Sequence, residues 1–287
     1  MIEGRRTKWV LGLWVGLVIC FLWIPLALIM VYAFNKSNVQ SWPIPGFTTH
    51  WFRVAWSSTE VRDAIWLSVR AGLAATAIAL VLGSAAAFAI ARFRFFGRES
   101  VSFLLVLPLA LPGIITGMAL NASFVTAKHP SFGLWTIVIG HSTFCVVIVY
   151  NNVLARLRRT SGSLLEASMD LGADGWQTFR FVTWPVLSTA LVAGGLLAFA
   201  LSFDEVIVTT FTAGANNTLP LLILGYIRLG QQLPVVNAVA FAIICFTIIP
   251  VALAQRLMRD TGVMRRGAAM ASAVQGGEVS TVEGGLR

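Results

Sequence analysis

Two adjacent carboxylates, Asp204 and Glu205, stand in "LAFALSFDEVIVTTF", a run with no other charge. An acidic side chain at the centre of a membrane-crossing helix costs about 2.5–3.5 kcal/mol, so two ionised ones cost roughly 5–7 kcal/mol unless something offsets them. A water-filled cavity does so, and a carboxylate there attracts a passing cation without holding it tightly. Adjacent helical positions diverge by about 100°, so one acid faces a pathway while the other pairs laterally, with Arg70 as the candidate partner. Asp204 is the favoured pathway residue. The competing reading is architectural, with one acid ion-paired and the other reaching for the interface. Counted along a helix from Pro185, the pair lies about 28 Å on, toward the outer half of its span.

His141 beside Ser142 is the other constellation that suggests chemistry. Neighbours on a helix point apart, and no nucleophile, base and orienting acid come together. A histidine packed inside the bundle with a hydrogen bond is the better reading. Cys20, Cys145 and Cys245 all fall in apolar runs and read as small buried hydrophobes, not as a disulfide or metal framework.

A third stretch, "SLLEASMDLGADGWQTFRFVTWP" from Ser163 to Pro185, is too polar to cross a bilayer and too patterned to be slack. Ser163 with Glu166 three residues later predicts a capping box and a helix start. Leu164, Ser168 and Leu171, with Leu165 and Met169, form one face, and Glu166, Asp170 and Asp174 another. Gly172 predicts the stop, able to adopt positive φ. Asp174 with Gln177 repeats the cap and opens a second short helix carrying Trp176 and Phe179, and Pro185 begins the next span. Two uses fit: an interfacial helix pair with Trp176 as headgroup anchor, or a docking surface for another protein. The acidic polar face favours a protein over an anionic lipid surface.

The elements that must position these residues follow from composition. Of 287 residues, 57% are hydrophobic and 11% charged, and apolar runs of membrane-crossing length recur, which defines an integral membrane protein. Six helical spans are predicted near residues 9–34, 64–91, 101–125, 134–154, 186–212 and 235–257. The first follows Arg5, Arg6 and Lys8, is too long for a signal peptide and reads as an anchor. The third holds Pro108, Pro112, Gly113 and Gly117 and must bend, either as a kinked packing helix or as a pathway lining. Pro25 and Pro250 are lone kinks. Residues 1–266 form the transmembrane domain, with the polar loop at 158–185, and residues 267–287 read as a disordered cytoplasmic tail.

The net charge of +9 is topological, not a sign of nucleic-acid binding. Fifteen of the 21 basic residues fall on the side of the N-terminus, and only Lys36, Arg53, Arg62, Arg70, Lys128 and Arg228 fall on the other. The positive-inside rule then puts both termini in the cytoplasm.

"EASMDLG" followed by "VTWP" resembles the EAA loop of binding-protein-dependent ABC importer permeases: Glu-Ala-Ala, three residues, Gly, nine residues, then Ile, any residue, Leu and Pro. Glu166, Ala167, Gly172 and Pro185 match; Ser168, Val182 and Trp184 replace the second Ala, Ile and Leu. Over residues 9 to 260, "LPLALPGIITGMAL", "GHSTFCVVIVYNNVLARL", "LAFALSFDEVIVTTF", "TLPLLILGYIRLG" and "PVVNAVA" are similar to permeases of spermidine/putrescine importers. Gly113 and Val235 stand where that subfamily often has acids, and Glu205 where a second Asp is usual.

The resemblance implies an all-α fold of six transmembrane helices, the type I ABC importer permease fold, in a bacterial inner membrane. It implies a coupling helix carrying Glu166, Ala167, Ser168, Asp170, Gly172 and Trp176 that docks on a cytoplasmic ATPase subunit dimer. It also implies a second homologous permease subunit, an extracytoplasmic substrate-binding protein, and Asp204 and Glu205 on the pathway of a polyamine. No G-x-x-x-x-G-K-[ST] phosphate loop occurs in this sequence, so the chain is read as a non-enzyme without cofactor, with ATP and Mg in the partner ATPase. The alternatives are the same machinery serving another small solute and, less favoured, an ion-coupled secondary transporter, which has no use for an ATPase handle.

The charge count makes a topological prediction. A reporter after Arg266, or a label within Ser163–Trp176, is expected in the cytoplasm, and labels within 36–60 or 213–230 on the opposite side. Compartment-specific reporter activity checks this; an odd number of crossings overturns it.

Overall fold

The computed structural model describes residues 5–127 and 131–248. The chain divides into two compact units, Met1–Ile243 and Ile244–Arg287. Of the second, only residues 244–248 are among those described, so Pro250, the last part of the sixth predicted span and the 267–287 tail lie outside the described residues.

Helices α1 (Arg5–Ala33), α3 (Thr59–Arg92) and α6 (Leu134–Arg159) supply the first, second and fourth spans, each slightly longer than predicted. A short helix, α2 (His50–Ser57), precedes α3, and Ser58 caps α3 by accepting from the Val61 amide. The core is built on α3. Ala71, Ala75, Ala79, Gly83 and Ala87 recur at every fourth position, putting one small residue per turn on a single buried stripe. Helices in lipid gain no hydrophobic drive toward one another, so close approach through small residues is what binds them. Opposite the stripe, α6 buries Ile137, Phe144, Val149, Tyr150 and Val153. At Gly83 the contact is closest: a Cβ there would lie 2.7 Å from the Val146 carbonyl oxygen and 3.0 Å from the Tyr150 nitrogen.

The third span bends, as its prolines require. Helices α4 (Arg98–Ala110) and α5 (Gly113–Thr126) meet at 102° across Leu111 and Pro112. Pro112 removes a backbone donor and forces the preceding residue into extended geometry, and Leu111 is extended at ψ 141°.

The fifth span departs from expectation at both ends. Its helix does not begin at Pro185. The turn α8 (Gly175–Thr178), a π-helical segment Phe179–Thr183 and α9 (Trp184–Phe203) run on as one helix from Gly175 to Phe203. The π turn widens the helix just before the proline: the Trp184 amide reaches back five residues to the Phe179 carbonyl, relieving the clash a proline ring otherwise makes. The other end stops early. α9 closes at Phe203, and the chain restarts as α10 (Ile207–Thr212), so Asp204 and Glu205 sit in an interruption and not inside a helix.

α11 (Leu219–Leu229) and α12 (Leu233–Ile248) follow, α12 standing at the sixth predicted span. Among the described residues, four helices can cross a membrane by length and apolarity, or five if the bent pair is one span. The apolar window of α1 is wholly unburied. Of the three cysteines only Cys145 is buried; Cys20 and Cys245 are exposed, because their helices leave those faces outside the core of this single chain.

Gly83→Ala is expected to destabilise the detergent-solubilised protein by ~1–3 kcal/mol, because the new methyl meets backbone that cannot turn aside. Gly195→Ala, whose Cβ would meet Leu80 at an ordinary 3.5 Å, is the control, with a change within ~0.5 kcal/mol. Thermal unfolding of the two variants checks the difference.

Candidate functional site

The polar loop folds into a compact projection. α7 (Gly162–Asp170) begins two residues earlier than predicted, and its cap is Ser161. Ser161 Oγ accepts from the Ser163 amide at 3.3 Å and pairs with Ser163 Oγ at 2.6 Å. Ser163 is therefore inside the first turn, and Glu166 is exposed instead of closing a capping box. Thr160, Ser161 and Ser163 lie together in the sequence; Thr160 and Ser161 are both extended, and Ser161, directly before the first helical residue, takes the role.

Gly172 does end the helix as expected. It has φ +81°; its amide donates to the Met169 carbonyl at 2.9 Å and that of Ala173 to the Ser168 carbonyl at 3.0 Å, the paired bonds of a Schellman stop. The second cap also forms: the Gln177 amide donates to Asp174 Oδ1 at 2.8 Å, and the Asp174 amide to Gln177 Oε1 at 3.0 Å. Ser168 is the buried member of the motif. Its hydroxyl donates to the Leu165 carbonyl at 2.9 Å and so accepts from Thr178 at 2.9 Å, tying α7 to α8.

The predicted apolar face is not packed on this chain. Leu164, Met169, Leu171 and Trp176 are exposed, Leu171 by 89%, while Glu166, Ala167 and Asp170 are exposed beside them. Of that face Ser168 and Leu165 turn inward, Leu165 lining a cleft with Arg92, Leu157, Thr183 and Leu187. A capped, rigid projection with apolar knobs and acids on its outside has the surface of a docking element.

The interruption after α9 separates the two acids by role. Glu205 Oε1 accepts from the Val208 amide at 2.9 Å, so this carboxylate satisfies the start of α10. Asp204 is exposed, and among the described residues no group of another residue hydrogen-bonds its carboxylate. The expected pairing with Arg70 does not form: that guanidinium lies 5.5 Å from the Trp66 ring centroid, one turn away on its own helix, where cation–π contact engages it. The helix break is what changes the directions of the two acids, and a sequence reading that extends the helix through them misses it. The signal available was the β-branched run from Val206 to Thr210 after a polar pair.

α10 is held from two sides. A Cβ on Gly117 of α5 would meet the Phe211 ring at 2.6 Å, and one on Gly140 of α6 would meet Val208 at 3.1 Å. The side-chain amide of Asn121 donates to the Phe211 carbonyl at 2.7 Å, and the Thr136 hydroxyl lies 2.7 Å from the Thr212 carbonyl. His141 is fully buried among these groups, and the Ser142 hydroxyl donates to the Val138 carbonyl on its own helix. They form no nucleophile and base pair.

These features are those of a multi-pass helical membrane protein, with an exposed apolar and acidic projection at one place and a carboxylate freed by a broken span at another. Residues 79–261 match the family described as binding-protein-dependent transport system inner membrane component, and the chain belongs to that family: it is a transport permease subunit. It is 35% identical over 232 residues to the putrescine transport system permease protein PotI of Escherichia coli (strain K12), covering 78% of this chain and 82% of that protein. Identity to the spermidine/putrescine transport system permease protein PotC of Haemophilus influenzae is 32% over 244 residues, covering 84% and 93%. The fold is also similar to a chain in the crystal structure of a bacterial ABC transporter that imports the acidic polysaccharide alginate, with a TM-score of 0.67, 15% identity, and coverage of 89% of this chain and 98% of that one.

The loop geometry separates three substitutions. Gly172→Val forces a β-branched residue into positive φ and is expected to cost ~1–3 kcal/mol of local stability; Asp174→Ala loses a cap, about 0.5–2 kcal/mol. Glu166→Ala leaves the loop fold unchanged, since Glu166 caps nothing. Trypsin cleavage at Arg180 in membrane vesicles reads this order, fastest in Gly172→Val and at wild-type rate in Glu166→Ala.

Proposed function

We propose that this chain forms half of the translocation pathway of an ABC importer for a polyamine such as putrescine or spermidine. The reading takes its substrate class from the printed names of the relatives and its local chemistry from Asp204. A carboxylate at a helix break, with no donor from another described residue on it, offers an ammonium group a charge partner, and a lone partner permits release. Glu205, engaged at the α10 amide, serves chiefly to shape the break.

The projection of α7 and α8 is the handle for a cytoplasmic ATPase subunit dimer, with Glu166, Ala167, Asp170 and Trp176 on the contact face and Ser168 and Gly172 maintaining its shape. Its exposed apolar knobs, which no described residue covers, support that role. ATP and Mg are bound by the ATPase; a second homologous permease completes the pathway, and an extracytoplasmic binding protein delivers the substrate. The charge asymmetry supports a multi-pass placement in the bacterial inner membrane with both termini in the cytoplasm, and the unburied α1 faces lipid or the second permease.

Asp204→Asn is expected to lower uptake of labelled putrescine about ten- to a hundredfold, the weight of one charge-assisted hydrogen bond, with assembly intact. Glu205→Gln keeps an acceptor for the Val208 amide and is expected to stay within about threefold of wild type. Wild-type uptake by an assembled Asp204→Asn complex would sink the pathway reading.

A further inference from the structure

His141 is 1% exposed, and its two ring nitrogens bridge the interruption of the fifth span. Nδ1 lies 2.7 Å from Ser202 Oγ, in the last turn of α9, and Nε2 lies 2.8 Å from Thr209 Oγ1, in α10. The hydrogen-bond order settles the tautomer. Thr209 donates its single hydroxyl proton to the Glu205 carbonyl at 2.7 Å, so it accepts from the imidazole. Nε2 therefore carries the ring proton, and Nδ1 accepts from Ser202. The result is a directed chain, from the Ser202 hydroxyl through the ring to the Thr209 hydroxyl and on to the Glu205 carbonyl. It begins before the break and ends within it, and Asp204 lies between its anchors.

Neighbouring contacts leave the clamp little freedom to shift. The Phe144 ring lies 5.6 Å from the imidazole, Gly140 brings the α6 backbone close to Val208 and Thr212, and the Cys145 thiol donates to the Ala198 carbonyl at 3.3 Å. The segment between the anchors has little else to define it: the Asp204 amide closes α9 on the Ala200 carbonyl, and Glu205 caps α10. A histidine suits this position because a neutral imidazole presents one acceptor and one donor on opposite sides of a rigid ring, matching a hydroxyl that donates and one that accepts.

We propose that His141 is a positioning residue for transport, clamping Ser202 to Thr209 so that the interrupted segment presents Asp204 to the pathway. The proposal rests on the pathway reading of Asp204, and its test keeps the two separate. In intact cells carrying the full chain, His141→Leu is expected to raise the KM for labelled putrescine about tenfold, with a smaller effect on maximal rate. His141→Gln, whose amide supplies an acceptor and a donor, is expected to restore uptake to within about threefold. Thr209→Val breaks the clamp from the other side, and combining it with His141→Leu is expected to add little, since both remove one interaction.

A second readout does not depend on transport. With Cys20 and Cys245 replaced by Ser, Asp204→Cys is labelled with a membrane-impermeant thiol reagent, and the rate is expected to change severalfold when His141→Leu or Thr209→Val is added. Wild-type KM together with an unchanged labelling rate in Thr209→Val overturns the clamp even if His141→Leu does not insert. Wild-type uptake in Asp204→Asn with an altered labelling rate in His141→Leu overturns the pathway reading and leaves the clamp standing.

Discussion

A helix interrupted inside a membrane protein frees backbone groups that lipid cannot satisfy, so the break must be held within protein or line a water-filled cavity. The fifth span meets that demand through side chains on its own short restart and on α6. Glu205 takes the Val208 amide, while the Thr209, Thr210 and Thr212 hydroxyls each return to a carbonyl one turn earlier. From α6 come Thr136 toward Thr212, His141 toward Ser202 and Thr209, and Cys145 toward Ala198. Polar residues along the length of α6 thus act as a rail on which the broken helix is mounted. The second halves of both broken spans, α5 and α10, then pack on each other through Gly117.

The rail works only because α6 is itself fixed, and small residues do that. The alanine and glycine stripe of α3 lets α6 approach to backbone contact, Gly194 of α9 sits against Val149 and Asn152, and Gly72 of α3 lies under Phe199. Three helices held this closely leave one arrangement of the hydroxyls, amides and imidazole that satisfy the break. The stripe is apolar and has no chemistry of its own, yet the geometry around Asp204 depends on it.

The α7–α8 projection and the free carboxylate are tied to opposite ends of one continuous helix, Gly175–Phe203, of 29 residues, about 43 Å at the usual rise per residue. α7 is joined to it by the Ser168 to Thr178 bond, and the Arg156 guanidinium of α6 donates to the Val186 carbonyl at 2.9 Å. The π turn at Phe179–Thr183 keeps the helix unbroken where Pro185 threatens it. In the proposed function, a push on α8 travels along a helix instead of being absorbed in a loop.

What the sequence determined by itself was everything that depends on local chemistry or on composition. Apolar run lengths located the long helices of the first, second and fourth spans, Pro112 broke the third one, Gly172 stopped a helix at positive φ, and Asp174 with Gln177 capped the next, because each is decided by a residue and its immediate neighbours. Where several local solutions compete, the tertiary structure chose. Ser161 capped α7 in place of Ser163, since the chain leaving α6 is already extended there. Pro185 was carried inside a helix by a π turn that no residue pattern announces. Only the tertiary structure separated Asp204 from Glu205, because the break between α9 and α10 is stabilised by His141, Thr136 and Asn121 from distant parts of the chain. Hydrogen bonds between residues sixty to ninety positions apart leave no periodicity to read, and they are what turned an apolar span with two costly acids into an interrupted one that presents a single carboxylate.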